Sequence, residues 1–100
     1  MKNDLNFFED LFITINKRAK SKDGNSYTKK LLKGGKNNIA QKVGEESAEL
    51  IIDYINGSKK RVIEEASDLI YHLFVLLYSK KINLSDIEKE LKKRKNVRQK

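Results

Sequence analysis

Residues 45–68 read EESAELIIDYINGSKKRVIEEASD, and this stretch decides the fold. Apolar residues recur at helical spacing on both sides of Asn56-Gly57, a pair that is typical of a helix end. Ser58 follows at a position where its side chain fits the N-cap of a second helix. We therefore predict long helices over about 37–55 and 59–81 that pack antiparallel as a hairpin.

Shorter elements precede this hairpin. Asp4–Lys20 is amphipathic and predicts a first helix, whereas Ser21–Ser26 is polar and predicts an exposed loop. A short helix is predicted over Tyr27–Lys33, because Gly34-Gly35 supplies the residues that close a helix C-terminus.

After the hairpin, Ser85 followed by Glu88 has capping-box spacing and predicts a last helix toward Arg94. Residues 95–100 form a basic tail that we expect to be partly disordered. The chain shows neither repeats nor a second hydrophobic pattern, so residues 1–100 are predicted to form one all-α domain, with an N-terminal helix and loop in residues 1–25.

Composition narrows the class of protein. The 100 residues include no Cys and no Pro, which excludes a disulfide framework and a thiolate metal site. The longest apolar run, Leu69–Tyr78, covers about half of a bilayer, and the N-terminus does not resemble a signal peptide. We expect a cytoplasmic protein that does not span a membrane.

The net charge of +8 favours an anionic partner. Negative charge is nevertheless concentrated in one segment, because residues 45–68 hold seven of the fourteen carboxylates.

The second long helix predicts the oligomeric state. Its side chains from Val62 to Tyr78 are apolar almost all round, and a helix of that kind must be covered on nearly every side. One further substantial helix in a chain of this length is too little cover. We therefore expect a helical bundle completed by homodimerisation, with the Leu69–Tyr78 surface buried between two copies.

Two pairs of carboxylates predict a metal site. Glu46 and Glu49 share one face of the first long helix, and Glu65 and Asp68 share one face of the second. Both pairs lie about two to three turns from Asn56-Gly57, so a hairpin brings them to one level. Oxygen ligands suit Mg²⁺, with Mn²⁺ as a second choice. A solvated acidic face is the alternative interpretation of the first pair.

The motifs around these carboxylates resemble a known family. Glu-Glu-x-x-Glu followed by Glu-x-x-Asp on the next helix is similar to the all-α nucleotide pyrophosphohydrolases, which include MazG-like and dimeric dUTPase enzymes. Residues 26–28 (Ser-Tyr-Thr), 42–46 (Lys-Val-Gly-Glu-Glu) and 68–73 (Asp-Leu-Ile-Tyr-His-Leu) resemble, more narrowly, the phosphoribosyl-ATP pyrophosphatases of histidine biosynthesis. The resemblance covers the chain from about residue 26 to residue 94.

This resemblance implies hydrolysis of phosphoribosyl-ATP to phosphoribosyl-AMP and pyrophosphate, the second step of that pathway. A separate cyclohydrolase chain is then expected to act next. The implied Mg²⁺ ligands are Glu46, Glu49, Glu65 and Asp68, with Glu45 beside them as either a group that supports these ligands or a water-orienting base. The implied substrate-binding residues are Ser26, Tyr27, Thr28, Lys33, Lys42, Arg61, His72 and Arg94.

Two alternatives stay open. A housekeeping nucleoside triphosphate pyrophosphatase of the MazG or dUTPase type would share the acidic residues, and only the Ser-Tyr-Thr and Tyr-His elements favour phosphoribosyl-ATP. A basic helical nucleic-acid-binding protein would explain the net charge and the run Lys92-Lys93-Arg94-Lys95, but it would leave the carboxylates unexplained, so a nucleic-acid partner is not expected.

Overall fold

The chain folds into helices joined by short connections. The computed structural model describes the backbone of residues 6–22 and 26–98 and the side chains up to residue 95. Across these parts every regular element is a helix, which confirms the all-α class, and none is long and apolar enough to cross a membrane. In chain order they are α1 (Asn6–Lys20), α2 (Tyr27–Lys33), α3 (Gly35–Asn56), α4 (Lys59–Ser79) and α5 (Leu84–Arg98).

Gly57 and Ser58 connect α3 to α4, and the two helices lie alongside each other. The Ser58 hydroxyl accepts a hydrogen bond from the Arg61 backbone N–H at 3.1 Å, so the predicted N-cap of α4 is confirmed. A Cβ atom at position 57 would lie 2.9 Å from the Asp53 backbone carbonyl oxygen, a contact that a side-chain movement cannot relieve, so the position favours glycine. α3 begins two residues earlier than predicted, and α4 ends two residues earlier.

α1 and α2 pack on this pair and complete the core. The Phe12 ring meets the Phe74 ring edge-to-face at a centroid distance of 5.5 Å. Ile15 from α1 and Val75 from α4 are fully buried. The buried apolar side chains are Phe12, Ile15, Leu31, Ile39, Phe74, Val75 and Leu77. The core therefore joins α1, α2 and the second half of α4, with Ile39 contributed by the start of α3.

The chain's own helices cover part of the Leu69–Tyr78 surface. Phe74, Val75 and Leu77 are buried, whereas Leu73 is 39% exposed and several other side chains of the segment are half-buried. Burial of this surface between two copies therefore stays a prediction. Periodicity identifies an apolar face but not the element that covers it, and here α1 does.

α5 starts earlier and ends later than the sequence suggested. The helix begins at Leu84, and the Asp86 carboxylate accepts a hydrogen bond from the Asn83 backbone N–H at 2.9 Å. The capping role assigned to Ser85 and Glu88 was therefore wrong by two residues. Glu88 instead pairs with Lys92 one turn on. The helix continues to Arg98, so residues 95–98 are helical rather than part of an irregular tail.

Lys81 closes α4 in a left-handed conformation, with φ of 62°. Its N–H donates to the Tyr78 carbonyl, and the next N–H, of Ile82, donates to the Leu77 carbonyl. A non-glycine residue is strained in this conformation, whereas glycine adopts it freely. We expect Lys81→Gly to raise the free energy of unfolding by about 1 kcal/mol, measured by denaturant titration. Lys80→Gly is the control, because Lys80 has φ of −97°, and an equal gain there would contradict the explanation.

Candidate metal centre

Three carboxylates converge between α3 and α4. Glu46 and Glu49 lie one turn apart on α3, and Glu65 faces them from α4. One carboxylate oxygen from each residue lies within 4.8 Å of the other two. Glu65 is buried, at 4% exposure, whereas Glu46 is half-buried and Glu49 is exposed. The cluster therefore opens to solvent on the α3 side, and equal spacing from the connection brings the residues together as predicted.

Asp68 is not a member of this group of three. It lies one turn beyond Glu65 on α4, and its side chain is exposed. Its backbone carbonyl accepts a hydrogen bond from the His72 ring. Its negative charge contributes to a raised pKa at Tyr27, so it lies beside the cluster without sharing the 4.8 Å spacing.

Two oxygens of the cluster lack hydrogen-bond partners. Oε1 of Glu46 and Oε1 of Glu65 are buried and accept no hydrogen bond from any group in the described residues. Leaving such atoms unsatisfied is unfavourable, because desolvation is not compensated. The other oxygen of Glu65 accepts a hydrogen bond from Arg61 Nη2 at 2.6 Å. Unpaired oxygens in an all-oxygen donor set fit a hard divalent cation such as Mg²⁺ or Mn²⁺.

Proximity of the carboxyl groups changes their protonation. The nearby Glu49 carboxyl raises the pKa of Glu65 most, because two carboxyl groups this close favour the protonated form, in which a hydrogen bond between them can form; burial and the Glu49 charge raise it further. The Arg61 guanidinium lowers it, but less. Arg61 also pairs with Glu64 and Asp53, so it braces the end of the cluster near the connection. A cation between the carboxyl groups would relieve their mutual repulsion.

α2 is fastened to α4 beside this cluster by paired side chains. The Asp68 carbonyl can only accept, so Nδ1 of His72 carries the proton that it donates at 2.8 Å. In the tautomer with this proton on Nδ1, Nε2 accepts from the Tyr27 hydroxyl at 2.7 Å. Both ring nitrogens are occupied, so His72 orients Tyr27 rather than offering a free ligand atom. Thr28 and Tyr71 pair through their hydroxyls at 2.5 Å.

This arrangement changes the expected role of Thr28. Its side chain is 0% exposed and its hydroxyl pairs with that of Tyr71, so it holds α2 on α4. Tyr27 is 47% exposed and its ring stacks on that of Tyr71. Burial raises the pKa of Tyr27, Lys42 lowers it, and Glu46 raises it. Tyr27 and Lys42 therefore lie at the edge of the carboxylate cluster.

Other predicted site residues are more dispersed. Ser26 caps α2, and its hydroxyl accepts from the Lys29 N–H. Glu45 is exposed beside Glu46 and accepts a hydrogen bond from Gln41. Lys33, at the far end of α2, borders a groove with Ala19 and Lys29, and Arg94 pairs with Glu90 on α5.

Sequence reasoning did not include Tyr71 among the site residues. Helical spacing could have predicted it, because Tyr71 follows Asp68 by three residues and residues three apart share a helix face.

Comparison with known proteins identifies the family of this chain. Residues 8–95 match the family model described as phosphoribosyl-ATP pyrophosphohydrolase. A phosphoribosyl-ATP pyrophosphatase of Sulfolobus acidocaldarius is 46% identical over 89 residues, which cover 89% of this chain and 94% of that protein. One from Pyrobaculum neutrophilum is 46% identical over 80 residues, covering 80% of this chain and 85% of that protein.

A longer relative matches as well. The histidine biosynthesis bifunctional protein HisIE of Bacteroides thetaiotaomicron is 46% identical over 88 residues, which cover 88% of this chain and 43% of that protein. The chain thus spans nearly the full length of the shorter relatives and less than half of the bifunctional one. The matched region includes every residue of the carboxylate cluster, and the chain belongs to the phosphoribosyl-ATP pyrophosphohydrolase family.

Proposed function

We propose that this enzyme hydrolyses phosphoribosyl-ATP to phosphoribosyl-AMP and pyrophosphate in a Mg²⁺-dependent reaction, the second step of histidine biosynthesis. Family membership supports the substrate and the pathway. The observation that carries the metal dependence is the convergence of Glu46, Glu49 and Glu65 with two buried oxygens unpaired. A phosphorylated intermediate of amino-acid biosynthesis also favours a cytoplasmic location.

The side chains fit defined roles in this reaction. Glu46, Glu49 and Glu65 would hold the cation, and Asp68 would complete the set from one turn along α4. When bound, a divalent cation neutralises phosphate oxygens and makes a water molecule more acidic. Lys42 adds positive charge for the phosphate chain. Glu45, exposed next to Glu46, would orient or deprotonate the attacking water.

The aromatic edge of the site suits the rest of the substrate. The half-exposed Tyr27 ring is held in place by His72 and Tyr71, so it offers a fixed surface beside the carboxylates. A fixed ring loses little conformational freedom when a ligand binds, which favours positioning of the bond to be cleaved.

One assay tests the function. The protein is incubated with phosphoribosyl-ATP and Mg²⁺, with and without chelator, and pyrophosphate is measured. We expect release that stops with chelator and is much faster than with dCTP or dUTP. Equal turnover of dCTP would support a housekeeping pyrophosphatase instead, and release that persists in chelator would contradict the metal role.

We further propose that α3 and α4 form a long hairpin that pairs with a second copy to make a homodimer. An apolar patch lies near their connection, where Ile51, Ile52 and Ile55 on α3 are each at least 59% exposed and Ile63 on α4 is 58% exposed. Patches of this kind mark protein contacts.

Sedimentation at low micromolar concentration is expected to show a dimer for the wild type. The Ile55→Glu variant is expected to sediment as a monomer. Ile13→Glu, at an exposed position of α1, is the control, and a folded wild-type monomer would contradict the proposal.

A further inference from the structure

A second cavity lies at the other end of α2 from the carboxylates. It is a groove of about 630 Å³ between α1, the start of α3 and the end of α4. Tyr27, at the first residue of α2, faces the carboxylate site, whereas Leu32, near the last, lines this groove. None of the residues given a role in hydrolysis lines it, so it is separate from the site described above.

The groove combines aromatic and positively charged walls. Phe12 and Tyr78 supply rings, and Lys20, Lys36 and Lys81 line the same space. None of the three lysines forms an ion pair with a described residue. Three uncompensated cations around an apolar groove raise the local concentration of anions. A ligand that fits must carry negative charge together with a flat apolar part.

Asn16 presents to the groove an oxygen that lacks a hydrogen-bond donor among the described residues. It lines the groove from α1, and its Oδ1 is buried without a hydrogen bond from any group in the described part of the chain. An unsatisfied buried acceptor is unfavourable unless a donor reaches it. The amide of an asparagine side chain can turn about its last torsion to present this oxygen. A ligand with an N–H group would satisfy it.

Lys81 is the residue whose conformation most needs explaining. It lines the groove while adopting the left-handed conformation that glycine tolerates without strain. Residues in such conformations persist where the surrounding structure fixes their backbone, as the hydrogen bonds at this turn do, and they cluster at ligand-binding positions. We therefore interpret Lys81 as a residue whose positive charge is used for binding in the groove and not for stabilising the fold.

We propose that this groove binds a nucleoside monophosphate at a second, non-catalytic site. The phosphate pairs with the lysines, the base lies against Phe12 and Tyr78, and an amino group of the base donates to Asn16 Oδ1. A second copy of this chain is a poor occupant, because the isoleucine patch proposed for dimerisation does not line this groove and carries no negative charge for three unpaired lysines. The proposal does not depend on the metal centre.

Calorimetric titration with AMP in the presence of chelator tests the proposal. Glu49→Gln alters the carboxylate cluster, and we expect it to bind AMP as the wild type does. Lys81→Gly removes one groove cation at a turn that glycine suits, and we expect binding about tenfold weaker, as for the loss of one charge-assisted contact. Lys80→Ala removes the neighbouring lysine, which does not line the groove, and should leave affinity unchanged.

Amide chemical shifts identify where AMP binds. The expected result is movement of the Ile39 and Ile82 signals with little change at Glu46 and Glu49. Absence of AMP binding, equal affinity of Lys81→Gly and wild type, or loss of binding in Glu49→Gln would each overturn the proposal. If removal of residues 1–5 greatly increased affinity, the chain's own N-terminus would be the native occupant, and the proposal would also fail.

Discussion

Glu49→Gln is expected to lower kcat for phosphoribosyl-ATP by about a thousandfold while the helices remain folded, since several kcal/mol of charge stabilisation depend on the cation. Glu49 is exposed, and its proposed role is to hold the ion rather than to pack the core. The substitution also removes a negative charge beside Glu65, so the metal-free variant should unfold at a temperature no lower than the wild type. The rise in Tm that Mg²⁺ gives the wild type should be lost.

Glu64→Gln is the matched control for this variant. Glu64 is an exposed carboxylate next to Glu65 that pairs with Arg61 but is not part of the group of three. We expect kcat within a few-fold of wild type and a preserved Mg²⁺ response. Near-normal turnover in Glu49→Gln, or equal losses in both variants, would remove Glu49 from the proposed ligands.

Ile15→Ala should reduce the free energy of unfolding by about 3 kcal/mol, the typical effect of emptying a buried isoleucine site. Ile15 is 0% exposed in the core that joins α1 to α2 and α4. A domain of this size has only about 5 to 10 kcal/mol of stability in total, so the loss is severe. Denaturant titration measures it.

Ile13→Ala makes the same chemical change two residues away on α1, at a side chain that is 43% exposed. We expect a change of about 0.5 kcal/mol or less there. Similar effects at Ile13 and Ile15 would mean that α1 does not pack on the bundle as described, and that the cover it gives to α4 is lost in solution.

Helical spacing was sufficient to predict part of the site. Residues at equal distances from a short connection lie side by side when two helices pack along each other, and that rule brought Glu46 and Glu49 toward Glu65. The same rule predicted that Asp68 joins these three glutamates, whereas in the structure the Asp68 side chain lies outside the cluster. A spacing rule fixes the level along the helix but not the rotation that aims each side chain.

Contacts distant in sequence could not be predicted from periodicity. The Tyr27–His72 and Thr28–Tyr71 pairs join residues 45 and 43 positions apart, and they decide that Thr28 holds α2 in place. The start of α5 was misplaced because Ser85 and Glu88 matched a capping pattern that Asp86 satisfies with Asn83. Two capping patterns overlap in this segment, and the backbone conformation before Leu84 determines which of them forms.

Anomalous diffraction from crystals soaked in Mn²⁺ would locate a cation between α3 and α4 without reference to activity. We expect a peak bound by oxygens of Glu46, Glu49 and Glu65, and its loss in crystals of Glu49→Gln. A fully soaked crystal with no peak between α3 and α4, or with its peak at other residues, would contradict it.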